Sequence, residues 1–272
     1  GVMLFSSVVT PPKIERLIAC NAEAQDLLVV VDDAGNVDDL ARAAKTSGKP
    51  LQLLVDFEVG GRRTGLASPD EVCDLAQRIA DADGLVYAGI QGYNGKLQAT
   101  RSYVERARQQ AECVAPLKAL CDRLETAGLG PRIVTGGGTG SHEIDPDQGV
   151  FTEAQVGTYI FIDMNYLGCE MWHDEPEPFE PSLFVRTTVI GAAQPGFVIT
   201  DAGVKELNRD ALHPIIVSGA PKGATYDLVG DDLGRINLPE GASPLAVGDA
   251  VEVITPHCYA TLNLYSVYHC MR

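Results

Sequence analysis

The sequence has too few positive charges for a nucleic-acid-binding protein, and it has no long apolar segment. Lysine and arginine number 21 against 37 aspartate and glutamate residues, so the formal net charge is −16. This balance argues against a nucleic-acid surface, because binding to phosphates of DNA or RNA needs clustered cationic side chains. No apolar run approaches the roughly 20 residues that a helix needs to span a bilayer. We expect neither nucleic acid nor membrane among the partners.

The sequence also lacks a cysteine motif, because the spacing of its seven cysteines matches no metal or redox site. The seven are odd in number and scattered, and no two of them form a Cys-x-x-Cys pair. Such a pattern favours a reducing compartment over a disulfide framework. We therefore predict a cytoplasmic protein.

The first 165 residues alternate between short apolar runs and longer amphipathic stretches. The runs are rich in Val, Ile, Leu and Tyr, which is typical of strands buried on both faces. This alternation predicts an α/β fold in which helices cover parallel strands. Strands are predicted at Val2–Ser6, Leu27–Asp32, Leu51–Val59, Leu85–Tyr93, Arg132–Gly136 and Tyr159–Asp163, and helices at Pro11–Asn21, Asn36–Thr46, Ser68–Asp83 and Thr100–Ala127.

The pattern of apolar and polar residues changes after about residue 180. An acidic, proline-rich stretch, His173–Pro181, is followed by short strand-like runs that Gly, Pro and Asp separate. We predict two domains, residues 1–180 and residues 181–272, of which the second is mostly β. Its predicted strands are Leu183–Ile190, Gly196–Thr200, Ile215–Val217, Ala224–Leu228 and Asp249–Ile254.

Six βα strands are too few to close the common eight-stranded barrel. Either the sheet is open, or two further βα units precede Gly1 in a longer protein. The first predicted strand starts almost at Gly1, which favours the second interpretation. We expect a (β/α)8-type barrel without its first two βα units.

One glycine-rich segment is the clearest local signal for ligand binding. Gly136-Gly137-Gly138-Thr139-Gly140 directly follows a predicted strand. Glycines let a backbone approach an anion closely, and consecutive N–H groups can cradle a phosphate. Phosphate sites of barrels gather at the carboxyl ends of late strands, where this segment lies. A flexible glycine turn is the structural alternative.

Arg63 and Tyr93 also follow predicted strands, within Val59–Gly65 and Gly89–Gly95. An arginine at a barrel mouth could bind a carboxylate, a phosphate or a ring substituent of a cofactor. A tyrosine there could pack against a planar cofactor or form a hydrogen bond with it. A solvated basic turn and a rim aromatic are the respective alternatives.

His257 is the candidate metal ligand of the predicted β domain. On an extended segment, a second donor two residues later would point the same way. That position holds Tyr259, a poor ligand, and the adjacent Cys258 would face away from His257 on a strand. A structural histidine is the alternative.

Together and in this order, these segments resemble the group of D-threonine aldolases, D-3-hydroxyaspartate aldolases and D-serine dehydratases. This group belongs to the alanine-racemase-like enzymes that depend on pyridoxal 5′-phosphate (PLP). The segments that carry the resemblance are Val8–Ile14, Glu58–Gly65, Gly89–Gly95 with Gln98, Thr135–Gly140, Phe151–Asp163, Asp201–Lys205, Gly234-Arg235 and Pro256–Cys258.

The resemblance implies a barrel with PLP at its mouth and a β domain behind it in sequence. It implies that the cofactor-binding residues are Arg63, Tyr93, Glu153, Gly137, Gly138, Thr139 and Gly140. It further implies a divalent metal (Mn, Mg or Zn) held by His257, a D-3-hydroxy-amino acid as substrate, and a homodimer. The reaction implied is retro-aldol cleavage to glycine and an aldehyde.

The chain departs from the family pattern at three points, of which one is Ser266, where the family has an Asp. The Schiff-base lysine lies near the family's first strand, and the lysines of this chain match no such position. The second metal ligand, an Asp or Cys in the family, is replaced by Tyr259. The alternatives are a D-serine or 3-hydroxyaspartate dehydratase, an amino-acid racemase of the same class, and an inactive relative that binds PLP or phosphate.

Overall fold

A computed structural model describes residues 1–173, 179–208 and 212–271. The chain divides into two compact units, residues 1–100 with 104–156, and residues 101–103 with 157–272. The predicted boundary after residue 180 stays a prediction, and residues 174–178 of the predicted linker lie outside the described residues. In the part of the chain that the structure describes, each helix is too short or too polar to cross a membrane.

The first unit is built on a sheet of six parallel strands in the order β1-β2-β3-β4-β5-β6. This sheet and its helices confirm the predicted α/β class. The elements are β1 (Val2–Leu4), α1 (Pro11–Glu23), β2 (Leu27–Val31), α2 (Ala34–Ser47), β3 (Leu51–Asp56), α3 (Pro69–Asp81), β4 (Leu85–Gly92), α4 (Tyr103–Thr126), β5 (Ile133–Gly136), α5 (Asp145–Gln148) and β6 (Glu153–Ala154).

Local sequence explains why these elements form where they do. All five residues of β2 are buried, as expected of a strand that is covered on both faces. The side chain of Ser68 accepts a hydrogen bond from the N–H of Glu71, and Pro69 occupies the first turn of α3. Asp33 caps α2 in the same way, by accepting from the N–H of Asn36 at 2.7 Å. These caps satisfy N–H groups that lack a partner within their helix.

The second unit contains a six-stranded antiparallel sheet, which confirms the predicted β domain. The strand order is β10-β11-β8-β7-β12-β9, and the outer strands β10 and β9 come close together, so the sheet is nearly closed. Its elements are β7 (Phe184–Gly191), β8 (Phe197–Thr200), α6 (Val204–Leu207), β9 (Ile215–Ser218), β10 (Thr225–Leu228), β11 (Gly234–Asn237), β12 (Ala250–Ile254) and α7 (Cys258–Leu262).

The predicted strand Tyr159–Asp163 is wrong. Residues 158–160 form a single 3₁₀ turn, and Ile162 has a positive φ of 44°. Asp163 is fully buried and accepts a hydrogen bond from the N–H of Asn165, which turns the chain instead of extending it. The sixth parallel strand is Glu153–Ala154, whose two exposed residues are too few and too polar to give a strand pattern.

Candidate functional site

Polar side chains interrupt apolar strands at the carboxyl ends of β3, β4 and β5. Asp56 ends β3, Gln91 lies next to the last residue of β4, and Thr135 lies in β5. All three are at most 4% exposed. Because the strands are parallel and adjacent, these side chains share one edge of the sheet. Ligands of parallel α/β sheets bind at this edge.

Hydrogen bonds join these residues into a row, which we call the strand-end network. Gln91 Nε2 donates to Asp56 Oδ1 at 3.0 Å, and Gln155 Nε2 donates to Gln91 Oε1 at 3.0 Å. Gln155 Nε2 also lies 3.3 Å from Thr135 Oγ1, which donates to Glu153 Oε1 at 3.2 Å. The network thus runs from β3 to β6 and includes Glu153, one of the predicted cofactor residues.

Asp56 anchors the loop that carries Arg63. Its Oδ2 accepts a hydrogen bond from Thr64 Oγ1 at 2.6 Å, and its backbone oxygen accepts from the N–H of Leu66. Burial raises the pKa of the Asp56 carboxyl, and the hydrogen bonds from Thr64 and Gln91 oppose this rise. A carboxyl group with a raised pKa at a strand end is typical of functional sites.

The loop itself folds around the carboxylate of Glu58. Burial alone would raise the pKa of this carboxylate. Four backbone N–H groups donate to it and lower the pKa below its ordinary value; they belong to Arg62, Gly60, Arg63 and Gly61. The guanidinium carbon of Arg63 then lies 5.0 Å from the centre of the Tyr93 ring. This distance is within the range of a cation–π contact. The structure therefore brings two predicted cofactor residues together.

The glycine loop, Gly136–Ser141, follows β5 and is entirely buried. Gly137 has a φ of +61°, a conformation that favours glycine. The N–H of Gly138 lies 3.1 Å from Ser141 Oγ and 3.3 Å from Asp145 Oδ2. Residues Thr139–Ser141 then form one 3₁₀ turn. The predicted phosphate-binding residues are thus part of a turn that hydrogen bonds hold together.

The space around the glycine loop leaves no room for larger side chains. A Cβ added to Gly136 would lie 2.2 Å from the backbone oxygen of Gly92, and one added to Gly140 would lie 1.8 Å from that of Gln98. A bare backbone turn at a strand end suits a phosphate group, and Arg63 with Tyr93 suits an anionic or planar group. The binding of a planar ligand with a phosphate at these residues stays a prediction.

Four buried polar residues around the glycine loop have no counterpart among the predicted site residues. They are Gln98, Gln110, Ser141 and Asp145, each at most 4% exposed. Ser141 and Asp145 follow the glycine motif closely in the sequence, so their proximity to the loop could have been predicted. Gln98 and Gln110 reach the loop from 43 and 35 residues away in sequence, so spacing alone does not reveal them.

His257 lies in the second unit, immediately before α7. Its backbone is extended, but a helix begins at Cys258. The two residues therefore do not lie on one strand, and the predicted strand geometry, with Cys258 facing away from His257, does not apply. The N–H of Cys258 donates to Asp163 Oδ2 at 2.9 Å. Burial raises the pKa of the Cys258 thiol to about 12, and Asp163 acts in the same direction. Both the backbone N–H and the thiol of Cys258 thus interact with Asp163.

Tyr259 is half exposed, and its ring centre lies 5.9 Å from that of His257. Within residues 1–173, 179–208 and 212–271, no group of three or more His, Cys, Asp or Glu side chains is placed to hold a metal ion. The described donors around His257 do not form a complete metal site, and the metal stays a prediction.

A cavity of about 610 Å³ lies elsewhere in the first unit. Its described lining comes from the segments that follow β3 and β4 and from α4, and it includes Glu58, Asn94, Glu112 and Cys113. The glycine loop is not part of that described lining. The cavity is thus separate from the predicted phosphate position.

Comparison with protein families matches the two parts of the chain to two family models. Residues 2–165 match the alanine racemase N-terminal domain. Residues 182–271 match the putative serine dehydratase domain. The two matches follow each other along the chain, and together they span most of it.

Individual relatives are similar over nearly the whole chain. A D-threonine aldolase of Arthrobacter sp. is 36% identical over 267 residues, which are 97% of this chain and 68% of that protein. A 3-hydroxy-D-aspartate aldolase of Paracoccus denitrificans (strain Pd 1222) is 31% identical over 98% of this chain and 69% of its own length. The crystal structure of D-threonine aldolase from Filomicrobium marinum has a TM-score of 0.91 at 30% identity, covering 97% of this chain and 70% of that chain.

Proposed function

The chain belongs to the alanine-racemase-like family that includes the D-threonine aldolases, and on this premise we propose that it is a PLP-dependent lyase. Its reaction is the cleavage of the Cα–Cβ bond of a D-3-hydroxy-amino acid into glycine and an aldehyde. The observation that carries this proposal is the similarity to two aldolases over 97% and 98% of the chain. The glycine loop supports the cofactor assignment, because consecutive backbone N–H groups after a strand can cradle a phosphate.

We propose the following roles for the residues of the first unit. The backbone of Gly137, Gly138, Thr139 and Gly140 holds the cofactor phosphate. Arg63 and Tyr93 lie beside the cofactor and orient it. Glu153 reaches the cofactor from β6, where its bond with Thr135 fixes the carboxylate. When bound, PLP supplies the electron sink that stabilises charge on the substrate carbon.

We also propose a divalent cation with His257 as one ligand. The turn at Cys258 fixes the backbone of His257, which supports a role that needs a defined ring position. Tyr259 provides a phenol oxygen in place of a carboxylate or thiolate, and for this reason we assign no reaction step to the metal. Titration with Mn²⁺ tests this role: the chain should bind the ion, and His257→Ala should weaken binding at least tenfold. Equal binding by both proteins would refute it.

A dehydratase is the second candidate function. It is favoured by the match of residues 182–271 to the putative serine dehydratase domain. A D-threo-3-hydroxyaspartate dehydratase of Delftia sp. is 25% identical over 216 residues. The lower identity and coverage place it behind the aldolase.

One assay separates these candidates. Because the lysines of this chain match no Schiff-base position, the full-length gene product is used. It is incubated with PLP, Mn²⁺ and D-threonine, and glycine, acetaldehyde, ammonia and 2-oxobutanoate are measured. We expect glycine and acetaldehyde in equal amounts, and no reaction with L-threonine. Ammonia with 2-oxobutanoate would establish the dehydratase instead. Absence of all four products, with D-threonine and with D-3-hydroxyaspartate, would refute both.

Two further assignments complete the proposal. The family resemblance supports a homodimer, for which sedimentation equilibrium should give twice the 29.0 kDa chain mass. The number and scatter of the seven cysteines support a cytoplasmic location, because such a pattern without a Cys-x-x-Cys pair is typical of reducing compartments. Localisation of a fluorescent fusion in the source cell would test the latter.

A further inference from the structure

We propose that Asp145 is a positioning residue that holds the glycine loop in the conformation that binds phosphate. This inference rests on the proposed function, since it concerns the phosphate of the same cofactor. Asp145 is 4% exposed and lies at the start of α5, directly behind the loop. Its hydrogen-bond donors belong to the loop and to α4, and His142 lies near enough to favour the charged form of the carboxylate and so to lower its pKa.

Three donors from two directions converge on the Asp145 carboxylate. Its Oδ2 accepts from Ser141 Oγ at 2.8 Å and from the N–H of Gly138 at 3.3 Å. Its Oδ1 accepts from Gln110 Nε2, on α4, at 2.5 Å. The carboxylate thereby ties the middle of the loop to a helix, and it fixes the orientation of the peptide group before Gly138.

The same carboxylate explains why Gly137 must be glycine. A Cβ added there would lie 2.0 Å from Asp145 Oδ2, and the φ of +61° disfavours other residues as well. Gln98 braces the other side of the loop, because its Oε1 accepts from the N–H of Ser141 at 3.1 Å and its Nε2 donates to Ser141 Oγ at 2.9 Å. The loop is therefore shaped before any ligand arrives, and such preorganisation lowers the cost of binding.

Burial raises the pKa of Asp145, whereas the bonds from Ser141, Gln110 and Gly138 act in the opposite direction. A buried carboxylate and a nearby phosphate repel each other because both are negative, so electrostatics alone does not explain why an aspartate is present here. Its geometry gives one, since an acceptor with two oxygens can bind donors on both sides at once. We therefore assign its role to positioning.

The test compares ligands with and without a phosphate. Calorimetry on the full chain measures the affinities for PLP, inorganic phosphate and pyridoxal. We expect D145A to weaken PLP and phosphate at least tenfold and to leave pyridoxal within twofold of the wild type. D145N keeps one acceptor oxygen and should fall between the two. D147A is the matched control, because Asp147 is exposed on the same short helix, and it should change none of the three affinities.

The outcomes separate this inference from the proposed function. Equal losses for PLP and pyridoxal would show a general structural role and overturn the inference, as would unchanged affinities in D145A. If D145A does not fold, the PLP-to-pyridoxal ratio of D145N decides, and an unchanged ratio overturns the inference. A wild-type chain that binds neither PLP nor phosphate would instead overturn the proposed function.

Discussion

The glycine loop and the turn at His257 each contain a buried carboxylate that binds a backbone N–H, but the two carboxylates have different further donors. In each, a buried carboxylate accepts the N–H that starts the turn: Asp145 accepts from Gly138, and Asp163 accepts from Cys258. Asp145 also accepts from two side chains, those of Ser141 and Gln110. Asp163 also accepts from the backbone N–H of Asn165 and interacts with the Cys258 thiol.

This difference predicts how strongly each turn responds to the removal of one hydrogen bond. Around the glycine loop, several side chains hold one another, so each bond has neighbours that limit the damage of its removal. At the His257 turn, one carboxylate holds two separate parts of the chain, and its removal leaves two backbone donors without it. We therefore expect stability to depend more on Asp163, and ligand affinity more on the glycine loop.

The largest effect is expected for Asp163→Ala. It removes the acceptor of two N–H groups in a buried place, and each such loss costs about 1–3 kcal/mol. We expect the free energy of unfolding to fall by about 3 kcal/mol in urea titrations. Glu240→Ala, at an exposed position of the same unit, should stay within about 0.5 kcal/mol of the wild type. A loss below about 1 kcal/mol for Asp163→Ala would contradict the view that the His257 turn depends on this one carboxylate.

The next effect concerns two glycines of the first unit. In Gly140→Ala the new Cβ meets the backbone oxygen of Gln98 at 1.8 Å, and such overpacking costs about 1–3 kcal/mol. Gly149→Ala has open space around the Cβ but a φ of +64°, which costs about 1 kcal/mol. Only the first variant should also weaken PLP binding. Equal effects of both variants on PLP affinity would show that the tight packing around Gly140 is not needed for ligand binding.

The pH dependence of stability sharpens the view of the first unit. Because burial raises the pKa of Asp56 above its ordinary value of 3.8, the folded state holds this proton more tightly than the unfolded state does. The contribution of Asp56 to stability therefore falls as the pH rises from about 4 through the raised pKa. We expect D56N to gain stability relative to the wild type between pH 4 and pH 7 in unfolding titrations. A difference that is constant with pH would contradict this.

The smallest effect is expected for Tyr93→Leu. Loss of an exposed cation–π contact with Arg63 is worth about 0.5–1 kcal/mol, which corresponds to a roughly two- to fivefold weaker binding of PLP. Tyr268→Leu, at an exposed tyrosine of the second unit, should leave PLP affinity unchanged. An unchanged affinity in Tyr93→Leu would remove Tyr93 from the cofactor site.

The sequence predicted what short stretches decide for themselves. The apolar run of β2 and the Ser68-Pro69 start of α3 carry their own patterns, and both elements form as predicted. The segment Tyr159–Asp163 has an equally apolar pattern, yet its conformation depends on a bond between Asp163 and Cys258, 95 residues away. A strand pattern cannot reveal such a partner, and so the prediction failed there.

The site shows the same division. The glycine loop was visible because its residues are adjacent in sequence, but Gln98 and Gln110, which brace it, are distant. Asp56 and Gln91 offered a weaker signal, since each is a polar residue near the end of an apolar strand. The roles of Arg63, Tyr93, Glu153 and His257 stay predictions, which the binding experiments above address.

The tight packing of the glycine loop bears on how this family should be surveyed. Gly136, Gly137 and Gly140 are each required by atoms of the protein itself, so selection for folding alone would retain them in descendants that had lost all chemistry. Arg63 is exposed and meets no such steric demand. On the proposed role of Arg63 beside the cofactor, substitution of Arg63 among homologous genes should therefore mark the loss of enzymatic activity sooner than substitution within the glycine motif.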